Sequence, residues 1–262
     1  MGEDPEFESE VTTTTEAGRL GGLRRRGIYL LPNLFTTGVL FCGFFAIVQA
    51  MNGRFEIGAV AIYVAMVLDG MDGRVARWTN TQSEFGAQYD SIADMVAFGA
   101  APALVAYEWA LKDLGTAGWI AAFLYCAGTA IRLARFNVNL GVVDKRYFQG
   151  LPSPSGAAVL AGLVWVMTDF GFKPSEWLAI VTWIIAVFAG ITMVSNIPFY
   201  SFKEVNWRRR VPLWVILASV LGIAVVASRP SLVLFALFMA YALSGYAMWA
   251  MGHRVRPVLP EE

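Results

Sequence analysis

Histidine is nearly missing from this sequence. His253 is the only one, and it falls in the C-terminal tail, so catalysis built on a histidine base or nucleophile is disfavoured. Cysteine is almost as scarce. Cys42 and Cys126 both lie inside apolar runs, which reads them as small hydrophobes and leaves neither a disulfide pair nor a cysteine metal site. Charge is sparse too: only 15% of residues are charged, and 20 basic residues balance 20 acidic ones. Nothing in that balance suggests nucleic-acid binding. Long polar connectors are also missing, so no separate soluble domain is expected and any chemistry must be built from the apolar segments themselves. Residues 1 to about 18 are acidic and Thr-rich, contain no apolar stretch that could serve as a secretory signal, and are expected to be disordered.

What is abundant is apolar sequence: 57% of the 262 residues are hydrophobic, and they come in long runs that do not alternate with polar residues. That is a membrane composition. A helix needs about 20 mostly apolar residues to cross the hydrocarbon. Eight stretches qualify, at roughly 30–51, 56–77, 86–110, 115–139, 154–171, 176–196, 211–228 and 231–250. The expected fold is an all-α integral membrane protein of about eight transmembrane helices, with both termini on one side.

The basic residues set the orientation, because Lys and Arg accumulate in cytoplasmic loops. With the N-terminus cytoplasmic, the inside segments hold Arg19, Arg24, Arg25, Arg26, Arg74, Arg77, Arg132, Arg135, Lys145, Arg146, Lys203, Arg208, Arg209, Arg210, Arg254 and Arg256, sixteen of the twenty. The external loops hold Arg54, Lys112, Lys173 and Arg229, one each. The expectation is a multi-pass protein of the inner, cytoplasmic membrane with both termini in the cytoplasm. The basic stretch from Glu16 to Gly27 either lies as a short helix on anionic headgroups or acts as an orientation signal alone. Trp78, Trp109, Trp119, Trp177, Trp207, Trp214 and Trp249 fall near expected helix ends, where indole rings favour the headgroup level.

Four carboxylates interrupt these apolar helices. The second stretch carries Asp69-Gly-Met-Asp72-Gly73-Arg74-Val-Ala76-Arg77, and the third begins Gly86-Ala-Gln-Tyr-Asp90-Ser-Ile-Ala-Asp94. Residues three and four apart share a helix face, so Asp69, Asp72, Gly73 and Ala76 form one stripe and Gly86, Asp90 and Asp94 another. The turn between them is short, which makes the helices neighbours with facing stripes. Acidic groups of one sign at membrane depth repel and are costly. Hard divalent cations prefer carboxylate oxygens, and Mg²⁺ leaves part of its coordination to water and phosphate. Two such ions about 3.5–4 Å apart can clamp the attacking and leaving oxygens of a phosphoryl transfer. Asp69, Asp72 and Asp90 are the ligands expected from this pattern. Gly73, Ala76 and Gly86 remove bulk where a diphosphate must approach backbone, and Arg77 offers it a bidentate contact. The competing reading is that Asp–Arg pairs tie the helices together and the glycines only permit close packing.

The spacing D-x-x-D-G-x-x-A-R, eight residues, then G-x-x-x-D-x-x-x-D resembles the signature of the CDP-alcohol phosphatidyltransferases. Asp69, Asp72, Gly73, Ala76, Arg77, Gly86, Asp90 and Asp94 fill every position. The resemblance implies a six-helix catalytic core, two divalent cations (Mg²⁺ or Mn²⁺) held by Asp69, Asp72, Asp90 and Asp94, a CDP-linked donor lipid, and Asp94 as the base that deprotonates the alcohol. It divides the chain into a tail at 1–27, a catalytic core at 28–203, and two further helices with a short tail at 204–262.

Four more segments resemble the serine-specific branch of that superfamily. They are Pro32-Asn33-Leu-Phe-Thr36, Arg132-Leu-Ala-Arg135-Phe-Asn137, Phe148-Gln-Gly150-Leu-Pro152-Ser-Pro154 and Ser195-Asn196-Ile-Pro198. The resemblance runs from about Gly27 to Lys203, and it implies CDP-diacylglycerol and L-serine as substrates, CMP as product, and a homodimer. Asp69 and Arg132 each lie about eight residues, roughly 12 Å, from their cytoplasmic helix ends. A lipid donor can enter sideways at that level while a soluble acceptor arrives from the cytoplasm. Serine brings a carboxylate, for which Arg132 and Arg135 are the candidate cations; snorkelling or pairing with an aspartate is the alternative. Asn33, Thr36, Thr79 and Ser83 are candidates for the cytidine or phosphates, with helix capping and turn formation as the other explanation. Rival functions are transfer to glycerol 3-phosphate or an inositol phosphate and, from another class, cation transport.

Overall fold

The structure is a computed structural model that describes residues 33–79, 83–138, 147–200 and 213–252. The expected tail at 1–27, Lys145, Arg146 and His253 lie outside these residues. Each of the eight apolar stretches contains helix: α1 (Asn33–Met51), α2 (Phe55–Thr79), α3 (Glu84–Asp94) continuing into α4 (Ala101–Trp109), α5 (Thr116–Val138), α6 (Ser153–Asp169), α7 (Glu176–Val194), α8 (Leu213–Ser228) and α9 (Pro230–Ala250). Four of them, α1, α5, α7 and α9, are long and apolar enough to cross a membrane by length and composition. Among the others, α2 carries Asp69, Asp72 and Arg74 within its 25 residues, while α6 and α8 have 17 and 16.

The interior is built from small side chains. Ala157, Ala158, Ala161 and Gly162 of α6 are buried, and α6 packs against α2, α4, α7 and α9. Between helices in lipid there is little hydrophobic gain, so close van der Waals packing through small residues holds the bundle together. Gly128 of α5 and Gly190 of α7 meet so closely that a methyl group on Gly128 would sit 2.6 Å from the Gly190 carbonyl oxygen. Large apolar side chains such as Phe41, Phe44, Val67, Ile92, Phe123, Ile184 and Leu217 point outward, as lipid-facing positions should.

Besides a 3-10 turn at Leu111–Leu114, two features near the site depart from a plain bundle of α-helices. The third stretch is not one α-helix: a π-helical turn, Met95–Ala100, separates α3 from α4 and starts directly after Asp94. Pro102 has no N–H to offer the Phe98 carbonyl four residues back, and the buried Tyr125 hydroxyl of α5 donates to that oxygen at 2.9 Å. By sequence this stretch is expected as one crossing, and Pro102 is the residue that could have signalled the break. The second departure is a small antiparallel pairing of β1 (Tyr147–Gln149) with β2 (Pro198–Tyr200), in register Tyr147 to Tyr200 and Gln149 to Pro198. β1 leads into the start of α6 and β2 follows the end of α7, so the pairing draws those two helix ends together.

Candidate active site

α2 brings Asp69 and Asp72 to the same place as Asp90 of α3. One carboxylate oxygen from each lies within 4.8 Å of the other two, so the three can share a cation. Asp72 is buried, and the Thr36 hydroxyl of α1 donates to its Oδ2 at 3.2 Å. Oδ1 of Asp90 and Oδ1 of Asp94 are buried without a hydrogen-bond partner. Buried carboxylate oxygens left this way are costly unless something positive meets them. Among the described residues the one ion pair is Lys112–Glu108, at the C-terminal end of α4 and away from these carboxylates in sequence. The donor set is all oxygen and acidic, which suits a hard divalent cation.

The small residues of the motif behave differently from one another. No described atom lies within 4 Å of where a Gly73 side chain would begin, so helix packing does not require glycine there and the backbone is open to a ligand. Gly86 is tighter, with Ser83 Oγ at 3.1 Å and Asn33 Oδ1 at 3.7 Å from the position of its missing Cβ. Ala76 and Arg77 follow one turn further along α2. Ser83 caps α3 by accepting from the Gly86 N–H at 3.0 Å, and the Thr79 hydroxyl bonds back to the Val75 carbonyl at 2.8 Å. For these two hydroxyls the structure displays the capping and back-bonding roles.

The two arginines of α5 are placed in different settings. Arg132 is buried and lies within electrostatic reach of Asp94; its Nη1 donates to Ser153 Oγ at the start of α6, and its Nε has no partner. Arg135 is half-exposed and heavily committed. Its Nη1 donates to the Val194 carbonyl at 3.0 Å and to Asn196 Oδ1 at 3.1 Å, and its Nη2 to the Gln149 carbonyl at 2.8 Å, with the Met193 and Ser195 carbonyls at 3.4 and 3.3 Å. One guanidinium thus gathers the carbonyls at the end of α7 and the end of β1. Gly150, at φ +76°, makes the turn beside this cluster; a side chain there would meet the Met193 oxygen at 2.3 Å. Asn137, two residues on, donates to Ser91 Oγ at 2.9 Å and so ties α5 to α3 between Asp90 and Asp94.

Three carboxylates can thus share a cation, and one of them, Asp72, stands next in sequence to Gly73, whose missing side chain would meet no described atom within 4 Å. A model of the CDP-alcohol phosphatidyltransferase family matches residues 29–194. The chain is 35% identical over 222 residues to a CDP-diacylglycerol–serine O-phosphatidyltransferase of Helicobacter pylori, covering 85% of this chain and 92% of the relative. It is 33% identical over 233 residues to the enzyme of that name from Mycobacterium bovis, covering 86% of this chain and 79% of the relative. Among solved structures, the phosphatidylinositol phosphate synthase of Mycobacterium tuberculosis with CDP-DAG bound matches with a TM-score of 0.48 at 23% identity, covering 73% of this chain and 96% of that one. This chain belongs to the CDP-alcohol phosphatidyltransferase family.

Proposed function

We infer that this protein is an enzyme that transfers the phosphatidyl group of CDP-diacylglycerol to L-serine and releases CMP. The relatives that share about a third of its residues over most of its length support the serine acceptor. The observation that carries the chemistry is the convergence of Asp69, Asp72 and Asp90 within 4.8 Å, with orphaned oxygens on Asp90 and Asp94 beside it.

Asp69, Asp72, Asp90 and Asp94 are the residues that would hold two divalent cations, Mg²⁺ or Mn²⁺. Such ions, when bound, neutralise the diphosphate and polarise its phosphorus. The chain's own residues then divide the work. The open backbone at Gly73 admits the diphosphate against α2, with Ala76 and Gly86 keeping its path free of bulk and Arg77 neutralising phosphate oxygens. Thr36 holds Asp72 in place; Asn33, Thr79 and Ser83 shape the entrance where α1, α2 and the start of α3 meet. Asp94 accepts the proton of the serine hydroxyl, whose oxygen attacks the phosphorus that bears diacylglycerol while the bond to CMP breaks. No protein nucleophile intervenes. Arg132 meets the serine carboxylate. Arg135 was the second candidate for that carboxylate, but its guanidinium already serves five acceptors, and we assign it to holding the loops around the acceptor.

We further propose that the eight helical segments cross the inner membrane with both termini cytoplasmic, that residues 28–203 form the catalytic core, and that α8 and α9 belong to an added pair. A homodimer is the proposed assembly.

The experiment is CMP release by purified protein given CDP-diacylglycerol and Mg²⁺ or Mn²⁺, across L-serine, glycerol 3-phosphate, an inositol phosphate and no acceptor. Release that depends on serine and stops with EDTA or Asp94→Asn is the expected result. Equal release without serine would remove the acceptor assignment.

A further inference from the structure

α9 lies beyond residues 29–194, the part that matches the family, yet it is wired into the loops that surround Arg132. Two contacts make the connection. First, the buried ring of Phe199 in β2 lies flat on Gly245 of α9, with ring atoms 2.4, 2.5 and 2.8 Å from where a Gly245 methyl would sit. Tyr241, one turn earlier, packs against the same ring and donates its hydroxyl to the Tyr200 carbonyl at 3.2 Å. Second, the Tyr246 and Thr192 hydroxyls lie 2.7 Å apart. Thr192 gives its own proton to the Phe188 carbonyl at 2.6 Å, which makes Tyr246 the donor of the pair.

From these two points the structure runs continuously to Arg132. β2 pairs with β1, and the Gln149 carbonyl at the end of β1 is held by Arg135. The Thr192 carbonyl accepts from the Leu151 N–H at 3.2 Å, and two residues on is Ser153, the hydrogen-bond partner of Arg132. The register of α9 thereby fixes β2, the end of α7 and the Leu151–Ser153 turn, and that turn aims the Arg132 guanidinium.

We propose that Gly245 and Tyr246 are positioning residues for the acceptor: through Phe199 and Thr192 they hold Ser153, and with it Arg132, in the orientation that receives the acceptor's carboxylate. The proposal rests on the assignment of Arg132 made above. It gives α9 a catalytic consequence that membrane anchoring alone would not.

The test separates acceptor from donor. Steady-state CMP release is measured for Gly245→Ala, Gly245→Ala with Phe199→Leu, Tyr246→Phe and Arg132→Lys, varying serine and CDP-diacylglycerol separately, with Tm recorded in the same detergent. Because a displaced guanidinium loses oriented contacts, Gly245→Ala should raise the KM for serine roughly tenfold and leave the KM for CDP-diacylglycerol unchanged. Tyr246→Phe should raise it about threefold. Removing the ring in the Phe199→Leu double variant should restore the KM for serine toward the parent value. If Gly245→Ala yields no folded protein, Tyr246→Phe, which adds no atom, decides alone. The proposal is overturned if Arg132→Lys raises the KM for serine while these variants leave it alone, or if they raise both KM values alike. An Arg132→Lys enzyme with an unaltered KM for serine would instead remove the assignment of Arg132, and this proposal with it.

Discussion

The Tyr125 hydroxyl reaches across from α5 to the Phe98 carbonyl at 2.9 Å, inside the π-helical turn that follows Asp94. π-turns are uncommon and concentrate at functional sites. Here the turn lies between Asp94, the carboxylate proposed as the base, and Pro102, and its position bears on how Asp94 is presented. Tyr125→Phe keeps the ring and leaves the carbonyl one donor short in a buried place. The expected cost is about 1–3 kcal/mol, seen as a lower Tm, together with a fall in CMP release that saturating serine does not repair. Unchanged activity in a destabilised variant would reduce the turn to a packing detail.

Thr36 offers a milder probe of the acidic cluster. It donates to Asp72 from a third helix and is itself buried. Thr36→Val should preserve the shape while removing a hydrogen bond to a charged group, a loss of about 1.5–3 kcal/mol in the strongest case. The half-activating Mg²⁺ or Mn²⁺ concentration should rise by roughly tenfold, since about 1.4 kcal/mol is a factor of ten, and excess metal should recover most of the rate. Thr36→Ser should behave as the parent does.

Much of this was legible in the sequence, for physical reasons that differ by feature. Long apolar runs show where helices form, because helices satisfy their own backbone in lipid; helix occurs in each of the eight stretches. Asp69, Asp72 and Asp90 were legible because acidic groups in apolar helices have few explanations, and their spacing put them on faces that do converge. What could not be read was set by contacts between distant segments. Arg135 looks from its neighbours like a second acceptor-binding cation, yet its partners are carbonyls of residues 149, 193, 194 and 195 and the Asn196 side chain. Ser83, left open by the sequence between a phosphate contact and a cap, is seen in the structure capping the start of α3. The pairing of β1 with β2 spans about fifty residues and involves strands too short to show a period.

The two arginines should therefore fail in different ways. Arg132→Lys is expected to lower activity through serine, with Tm nearly unchanged. Arg135→Lys, which cannot span five acceptors with one ammonium, is expected to lower Tm by several degrees. It should affect both substrates together. Thermal unfolding beside two-substrate kinetics distinguishes these patterns.

Glycines provide a stability test free of catalysis. At Gly128 an added methyl meets the Gly190 backbone at 2.6 Å, and backbone cannot step aside as a side chain can. Gly128→Ala should cost about 1–3 kcal/mol or more through overpacking. Gly222 in α8 has nothing within 4 Å of the added methyl. There Gly222→Ala should be neutral or stabilise by about 0.5–1 kcal/mol, through helix propensity. Tm in detergent reports both.

The most direct measurement is the anomalous scattering of Mn²⁺ in crystals grown with CDP-diacylglycerol. Manganese peaks bounded by the carboxylates of Asp69, Asp72 and Asp90, with the donor's diphosphate against them and the peaks lost in Asp90→Asn, are the expected result. A donor bound in active protein with its diphosphate elsewhere, and no manganese among those carboxylates, would contradict it.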